Sequence, residues 1–306
     1  MCGFAGLYKK LALTEADKTA VINMSQSIRH RGPDDCKTFF SEKYAFAFRR
    51  LSIIDLEAGV QPFTAFDGRY VGIFNGEIYN YLELREELSK KGYTFTTRSE
   101  IETILTLFHD EGPQFIKKLR GMFAIVIYDN ENNSLFFGRD PFGIKPFYYR
   151  IGKDGISFSS EFKAFLFDPE MSEYSIDEAA LQSYFTFQYV TEPDTISPDI
   201  KILPAGTYAV IDQSLKIRPI EYFDVRFAPN RLTKFDEKEK RLHSNINMTA
   251  VMDDYYENIL PSWKQGAEGE RELQEIAKKI RQAGKGKKYD CIFSVMDTDF
   301  GNCFYL

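Results

Sequence analysis

Residues that bind metals or form disulfides are scarce in this 306-residue chain. It has only three histidines and four cysteines, and the cysteines lie at positions 2, 36, 291 and 303. No Cys-x-x-Cys spacing or dense cysteine framework occurs, so the sequence predicts neither a disulfide scaffold nor a metal site. Such low cysteine usage is typical of a reducing compartment, and we expect a cytoplasmic protein.

Long apolar runs and charge runs are also absent. No apolar segment approaches the ~20 residues of a transmembrane helix, and the N-terminus lacks the apolar stretch of a secretion signal. The 39 Lys and Arg residues are outnumbered by 45 Asp and Glu residues, which gives a net charge of -6. We therefore expect neither nucleic acid nor a membrane as partner, and small molecules are favoured.

The hydrophobic residues that are present, 43% of the chain, suffice for one large domain or two ordinary ones. Short β-rich runs at 70–74, 123–128 and 134–137 alternate with turns, and the last two predict an antiparallel hairpin. Hairpins mixed with helices favour an α+β layered sandwich over a parallel βαβ fold.

Three helices are predicted in this first part of the chain. One spans about 80–91, and a second begins at a capping box formed by Ser99 and Glu102 and ends at Gly112-Pro113. A third begins at a similar Ser175-x-x-Glu178 pattern and runs to about 188. Its periodicity predicts that Leu181, Tyr184 and Phe185 face inward.

The sequence changes in character after about residue 224. Residues 225–269 are polar and mixed in charge, which is typical of a linker. Residues 270–283 have helical periodicity, and 289–295 form a plausible buried strand before a polar loop at 296–302. One helix and one strand cannot form a stable open sheet, so 270–306 are predicted to be an incomplete α/β unit.

Cys2 is the most informative single residue. Removal of Met1 would place a thiol and a free α-amine on the same residue. Their ordinary pKa values, about 8.5 and about 8, allow the amine to accept the thiol proton near neutrality. Such an N-terminal residue combines a nucleophile with its own base, an arrangement suited to acyl transfer. On its own, however, Cys2 is equally consistent with a chance residue.

Five further segments contain charged residues that could surround such a nucleophile, and three of them also contain loop-forming glycines. The segment 50–55 is interpreted as a strand with Arg50 at its mouth, and 74–80 as a strand, an Asn-Gly turn and the start of a helix. The segments and their sequences are 30–34 (HRGPD), 50–55 (RLSIID), 74–80 (FNGEIYN), 98–100 (RSE) and 138–146 (GRDPFGIKP).

Together with Cys2, these segments resemble the glutaminase domain of class II glutamine amidotransferases, in particular the asparagine synthetase branch. The resemblance covers residues 2–224 and continues through 159–164 (SSEFKA) and 203–206 (LPAG). It implies the four-layer αββα sandwich of N-terminal nucleophile hydrolases. It also implies hydrolysis of L-glutamine to glutamate and ammonia through a Cys2 thioester, a step that needs no cofactor.

The resemblance also implies roles for individual residues. Asn75, through its side-chain amide, and Gly76, through its backbone N–H, would stabilise the oxyanion. Arg50 suits the substrate α-carboxylate, because a guanidinium fork matches a carboxylate. Glu100 stands where the family has an aspartate and would hold the α-ammonium. Further implied glutamine contacts are Glu77, through its backbone carbonyl, Ile53 and Ile54. Arg31, Asp34, Arg139 and Asp140 are predicted to order the surrounding loops.

The C-terminal region departs from the family. In asparagine synthetases, ammonia passes to an ATP- and Mg-dependent synthetase domain whose first strand precedes a Ser-Gly-Gly-x-Asp-Ser loop. Residues 270–306 resemble the start of such an ATP-pyrophosphatase-like domain, but 296–302 (MDTDFGN) lack the paired glycines. We therefore expect that this chain does not bind ATP or Mg, that its synthetase region is truncated or degenerate, and that a separate synthetase chain or a homo-oligomer is its partner.

Two alternative functions stay open at this point. The chain could donate ammonia to another amidation, such as the amination of a sugar, or it could be a noncatalytic scaffold derived from an amidotransferase. Intact Cys2, Arg50, Asn75 and Gly76 favour a catalytic protein.

Overall fold

The structure is a computed structural model that describes residues 2–51, 60–171, 175–224, 292–297 and 300–305. Two compact units, Met1–Val225 and Arg226–Leu306, make up the chain. The strands of the first unit are β1 Gly3–Lys9, β2 Asp35–Phe40, β3 Tyr44–Arg50, β4 Phe63–Ala65, β5 Tyr70–Ile78, β6 Gly121–Asp129, β7 Ser134–Arg139, β8 Tyr148–Ile151, β9 Gly155–Ser159, β10 Ile200–Ile202, β11 Thr207–Ile211 and β12 Ile220–Glu221. Its helices are α1 Glu15–Ser27, α2 Tyr81–Lys90, α3 Glu100–Glu111 and α4 Glu178–Phe187.

Two six-stranded antiparallel sheets form the centre of the first unit. Sheet A has the strand order β10-β8-β9-β1-β3-β2, and sheet B has the order β12-β11-β7-β6-β5-β4. Alternate residues of both sheets, among them Phe4, Phe46, Ile73 and Val126, are buried in one shared core between them. Each buried large apolar side chain contributes about 1.5–3 kcal/mol of stability, so this core fixes the two sheets face to face.

Helices cover the outer face of each sheet. The other set of residues on β5 and β6 packs with α2 and α3 in a second core that includes Phe74, Leu84 and Leu105. Helix α1 covers sheet A through a smaller cluster that includes Val21 and Leu7. The layers are therefore helix, sheet, sheet and helix, which confirms the predicted α+β sandwich. Because sheet B has a core on both faces, the predicted hairpin, β6 and β7, is almost wholly buried.

One interpretation of the strands needs correction, and another lies largely outside the described residues. The strand beside Arg50 is β3, which ends at Arg50, and residues 52–55 of the segment interpreted as a strand lie outside the described residues. The expected Asn75-Gly76 turn is wrong. Strand β5 continues through both residues, since the equally long β6 pairs with it along its whole length.

Two helix starts also differ from the prediction. Ser99 precedes α3, but its side chain makes no capping hydrogen bond, and Glu102 instead accepts hydrogen bonds from Thr96 and Thr97. Helix α4 begins at Glu178, where the carboxylate of Asp177, and not Ser175, accepts from the Ala179 and Ala180 N–H groups.

The apolar face predicted for α4 is not turned inward. Tyr184 and Phe185 are 51% and 76% exposed, and Leu181 is only half-buried. The sequence period identified an apolar face correctly, but among the described residues no element covers it.

In the second unit, the structure describes a hairpin of β13 Ile292–Asp297 and β14 Phe300–Tyr305, paired antiparallel from Ile292↔Tyr305 to Asp297↔Phe300. The loop expected at 296–302 is therefore largely strand, because residues 300–305 pair directly with 292–297. The predicted linker and the helix at 270–283 lie outside the described residues.

Candidate active site

Cys2 immediately precedes β1, and its side chain packs against the core between the sheets. Three contacts hold this end of the chain. The Leu51 N–H donates to Cys2 Sγ over 3.5 Å, the Phe4 N–H donates to Ser160 Oγ over 3.0 Å, and Arg31 Nε donates to the Cys2 carbonyl oxygen over 3.0 Å. The thiol is therefore fixed at the edge of the intersheet core and remains partly exposed.

Glu161 positions the Arg31 side chain. Its Oε1 atom lies 3.2 Å from Arg31 Nη1 and 2.7 Å from His30 Nε2. Although burial alone would raise the pKa of the Glu161 carboxyl, hydrogen bonds from His30 and Arg31 and their charges outweigh it and lower that pKa. The arginine that contacts Cys2 is thus itself oriented by an ionised carboxylate.

Side chains alternate along β5, and the alternation places Asn75 toward Cys2. Val71 and Ile73 belong to the intersheet core, so Asn75, two residues further on, faces the same layer. Asn75 is 2% exposed, and its Nδ2 has no hydrogen-bond partner among the described residues. A buried amide donor without a partner lowers the stability of the folded state by about 1–3 kcal/mol. The fold already carries this penalty, so the N–H group is available for a ligand.

Backbone N–H groups along β5 give a second donor. Gln61 Oε1 accepts from the Phe74 N–H over 2.6 Å, and Glu100 Oε1 accepts from the Ile78 N–H over 2.7 Å. The Gly76 N–H lies between these two on the same edge of the strand. Opposite Gly76 on β6, the Phe123 N–H donates to the Asp140 carboxylate, and the Phe123 carbonyl oxygen accepts from the Asp140 N–H. Neither Phe123 group bonds to Gly76, so the Gly76 N–H points away from β6.

Gly76 is required by close packing. A Cβ atom at this position would lie 2.0 Å from the Met122 carbonyl oxygen and 2.7 Å from the Phe123 Cα atom, both on the adjacent strand. Because these are backbone atoms, no side-chain movement could relieve the contact. Glycine therefore allows the strand to approach β6 here and presents the Gly76 N–H beside Asn75.

The two arginines at the end of β3 face opposite ways. Tyr44, Phe46 and Phe48 point into the intersheet core, so Arg50 faces the same layer as Cys2 and Asn75. Arg49 faces the other way, where its Nε donates to the Ser25 carbonyl and hydroxyl oxygens over 3.1 Å. This agrees with the prediction that Arg49 faces away from the site.

Glu100 and Glu77 form an acidic pair next to the Gly76 N–H. Burial, together with the charge of Glu77, raises the pKa of Glu100 to about 7, although the hydrogen bond from Ile78 acts in the opposite direction. Loss of hydration also raises the pKa of the Glu77 carboxyl, and the charge of Lys145 partly offsets this rise. These acids therefore lie within electrostatic range of one another at the end of β5.

Lys145 connects the two halves of the site. Its side chain is 7% exposed, and burial lowers the pKa of its ammonium, as does Arg31, while Glu77, Cys2 and Asp140 raise it. The ammonium thus lies within electrostatic range of Cys2 on one sheet and of Glu77 on the other.

The loop that carries Lys145 is ordered by Arg139 and Asp140, as predicted. Asp140 is fully buried, and its carboxylate accepts from the N–H groups of Phe142, Ile144 and Lys145. Arg139 Nε donates to the Lys145 carbonyl oxygen over 2.9 Å. These two residues therefore fix the loop that carries Lys145.

The structure therefore brings Cys2, Asn75, Gly76, Glu77 and Glu100 to one end of the sandwich, and Arg50 faces the same layer. Ile53 and Ile54 lie outside the described residues. Sequence reasoning missed Gln61, Ser160 and the pocket position of Lys145. The described residues contain no cluster of His, Cys, Asp or Glu that could hold a metal ion, and no helix among them has the length and apolarity to cross a membrane.

Two stacked antiparallel sheets between helices, with a cysteine at the start of a central strand, define the αββα sandwich fold of N-terminal nucleophile hydrolases. Solved structures share this fold. Glutamine phosphoribosylpyrophosphate amidotransferase from B. subtilis, complexed with ADP and GMP, matches with a TM-score of 0.52 at 16% identity, over 72% of this chain and 49% of that one. A structure titled as the allosteric regulatory enzyme of purine biosynthesis has a TM-score of 0.54 at 17% identity, over 72% of this chain and 49% of that one.

Sequence comparison identifies the family. Residues 1–223 match the glutamine amidotransferase domain. Asparagine synthetase [glutamine-hydrolyzing] 1 of Bacillus subtilis is 44% identical over 80% of this chain and 39% of its own length, and asparagine synthetase B of Escherichia coli is 39% identical over 85% and 42%. The chain belongs to the class II glutamine amidotransferases, in the asparagine synthetase branch. It spans about two fifths of the length of these curated relatives.

Proposed function

We propose that this chain hydrolyses L-glutamine to glutamate and ammonia, with Cys2 as the nucleophile. The observation that carries this proposal is Asn75 Nδ2, a buried amide donor without a partner in the described structure, in the layer that Cys2 faces. A buried, unfilled donor in this layer suits an oxyanion that exists only during reaction. A noncatalytic scaffold would have no such use for it.

Acylation follows from these groups. With Met1 removed, the α-amine of Cys2 takes the thiol proton, and the thiolate attacks the side-chain amide carbon of glutamine. Asn75 Nδ2 and the Gly76 N–H donate to the developing oxyanion, each contributing about 3 kcal/mol to its stabilisation. When the C–N bond breaks, the α-ammonium returns the proton to the leaving nitrogen, and ammonia departs from a Cys2 thioester.

Deacylation uses the same groups in reverse. The α-amine, now neutral, accepts a proton from water as the water oxygen attacks the thioester carbonyl. The same two donors stabilise the second oxyanion. Collapse of this intermediate expels the Cys2 sulfur, which regains its proton, and releases glutamate.

Two charged groups suit the α-carboxylate and the α-ammonium of glutamine. Arg50 faces the intersheet layer and would bind the α-carboxylate, and Glu100 would bind the α-ammonium, with the Glu77 carbonyl oxygen as a second acceptor. Glu100 needs to be ionised for this role, and an approaching ammonium favours that form. Its hydrogen bond from the Ile78 N–H positions the carboxylate beside the Gly76 donor.

All groups required for this hydrolysis are supplied by the chain, so we propose that the step proceeds without a cofactor. In the wider reaction, we propose that the ammonia goes to aspartate, because the matched relatives are named asparagine synthetases. The ATP- and Mg-dependent half would then be supplied by a synthetase region on a separate chain or in a homo-oligomer.

The experiment is a glutaminase assay on the purified full chain, with Met1 removal checked by mass spectrometry. We expect ammonia and glutamate in equal amounts, and loss of turnover in Cys2→Ala with an unchanged melting temperature. Cys36→Ala is the matched control, because Cys36 is also a free cysteine. Equal rates for Cys2→Ala and the wild type would refute the proposal. Asparagine formation after addition of aspartate, ATP, Mg²⁺ and a candidate synthetase chain would test the acceptor.

A further inference from the structure

A basic cavity lies at the opposite end of β1 from Cys2. It has a volume of about 440 Å³ and is lined by Lys10, by residues 151–153 after β8, and by residues 214–218 between β11 and β12. Strand β1 spans seven residues, and a strand rises about 3.3 Å per residue, so the cavity is roughly 20 Å from the thiol. It is therefore separate from the glutamine site.

Four cationic side chains line this cavity: Lys10, Lys153, Lys216 and Arg218. None of them forms a salt bridge with the residues that the structure describes, whereas lysines elsewhere do, such as Lys201 with Asp194 at 3.0 Å. The chain as a whole carries a net charge of -6. Four cations without a salt bridge in one concave site are unexpected in such a chain, and mutual repulsion among them would be relieved by an anion.

Three acidic residues flank the cavity without lining it. Glu170 Oε2 accepts from the Lys153 N–H over 2.8 Å, and its Oε1 atom is 3.8 Å from Lys9 Nζ. Asp212 Oδ1 accepts from the Ser214 N–H over 2.8 Å, and Asp212 lies within electrostatic range of Lys216. Asp154 accepts from the Lys10 N–H through its backbone carbonyl. The acids shape the turns around the cavity, and its inner surface stays positive.

Part of the cavity floor is apolar. Leu215 is 4% exposed and belongs to the intersheet core, and Ile217 packs against the same core. Ile151 adds an exposed apolar surface at the side. A volume of about 440 Å³ exceeds the needs of an inorganic anion and falls within the ~300–1,000 Å³ typical of small-molecule sites. Cations around an apolar floor suit an organic molecule with several negative charges.

We propose that this cavity binds an organic di- or triphosphate of nucleotide size. The phosphates contact the four cations, of which Arg218 offers a bidentate fork and the lysines compact charges. The organic body covers Leu215 and Ile217. This proposal does not depend on glutamine hydrolysis, and binding alone is sufficient to test it.

The test is calorimetric titration of the full chain with ADP in the absence of divalent metal. Lys216→Glu/Arg218→Glu reverses two charges in the cavity, and Lys37→Glu/Lys117→Glu makes the same change in net charge at exposed lysines outside it. We expect binding to weaken at least tenfold in the first variant and less than about twofold in the second. No binding by the wild type, unchanged binding by the cavity variant, or equal weakening in both would each overturn the proposal.

Two further ligands distinguish the parts of the site. Inorganic pyrophosphate and adenosine should each bind at least tenfold more weakly than ADP, because each lacks one half of the contacts. Equal affinity for either would contradict an organic polyphosphate as the ligand. A melting temperature within a few degrees of the wild type verifies the fold of the charge-reversed variant, and Lys153→Gln/Lys216→Gln provides a milder second variant for which weaker ADP binding is also expected.

Discussion

The guanidinium of Arg31 donates a hydrogen bond from Nε to the carbonyl oxygen of Cys2, over 3.0 Å. This contact fixes the backbone of the residue that we propose as the nucleophile. Lysine keeps the charge but cannot bridge Cys2 and Glu161 with a planar fork. We expect Arg31→Lys to lower kcat/KM for glutamine by about 10- to 100-fold, since hydrogen bonds from charged groups contribute about 1.5–3 kcal/mol.

His30→Ala is the control for Arg31→Lys. His30 contacts the same Glu161 carboxylate from the exposed side and does not contact Cys2. Steady-state glutaminase kinetics should show little change in this variant. A comparable loss in both variants would mean that Glu161, and not the Arg31–Cys2 contact, determines the rate.

Asn75→Ala removes the buried donor that we assign to the oxyanion. Because Asn75 Nδ2 has no partner in the described structure, the change should leave the melting temperature nearly unchanged. Loss of one oxyanion donor typically lowers kcat by about 100- to 1,000-fold, with little effect on KM. Asn132→Ala, in the turn between β6 and β7, should retain full activity. A kcat within threefold of the wild type would remove Asn75 from the mechanism.

Gly76→Ala should destabilise the fold as well as abolish activity. The new Cβ would clash with the Met122 carbonyl oxygen of the adjacent strand, and strain of this kind costs about 1–3 kcal/mol or more. Gly68→Ala provides a comparison, because Gly68 has φ +87° but no atom within 4 Å of the added Cβ. Urea unfolding should show a cost near 1 kcal/mol there, from backbone strain alone. Equal losses at both positions would show that packing against β6 is unimportant.

Glu100 should make stability depend on pH. Its pKa is about 7 in the folded chain against 4.5 ordinarily, so the folded state binds more protons and loses stability as pH rises from about 4.5 to 7. Glu100→Gln keeps an oxygen acceptor for the Ile78 N–H and removes this titration. The free energy of unfolding of the variant, minus that of the wild type, should therefore increase as the pH rises from 5 to 8. A difference between the two proteins that is constant with pH would contradict the raised pKa.

Local sequence patterns predicted the elements better than their connections. The helix at 100–111 and the hairpin of β6 and β7 follow from periodicity, which depends only on neighbouring residues. The Asn75-Gly76 pattern failed as a turn because a tertiary partner, the nine-residue strand β6, extends β5 through it. Ser99 failed as a cap because Glu102 is engaged by Thr96 and Thr97 instead.

The candidate site also combines residues that local sequence predicts with residues that only the tertiary fold places. Motif resemblance supplied Cys2, Arg50, Asn75 and Gly76, and strand alternation explains why Arg50 and Asn75 face the layer that Cys2 packs against. Gln61 had no recognisable signature, because its contact with the Phe74 N–H joins a side chain to a backbone group of a different segment. The apolar face of α4 was also recognisable, but its exposure depends on which neighbours the fold provides, and a single segment does not encode that.

The strand that follows Cys2 has a consequence for the order in which the protein acquires activity. β1 lies between β3 and β9, and Phe4 is held by Ser160, 156 positions later in the sequence. During synthesis, β1 is therefore paired on both sides only after β9, about 150 residues later in the sequence, has been made. Contacts between such distant residues form slowly. Cys2 thus reaches its final position late in folding, when the strands on both sides of β1 are also in place.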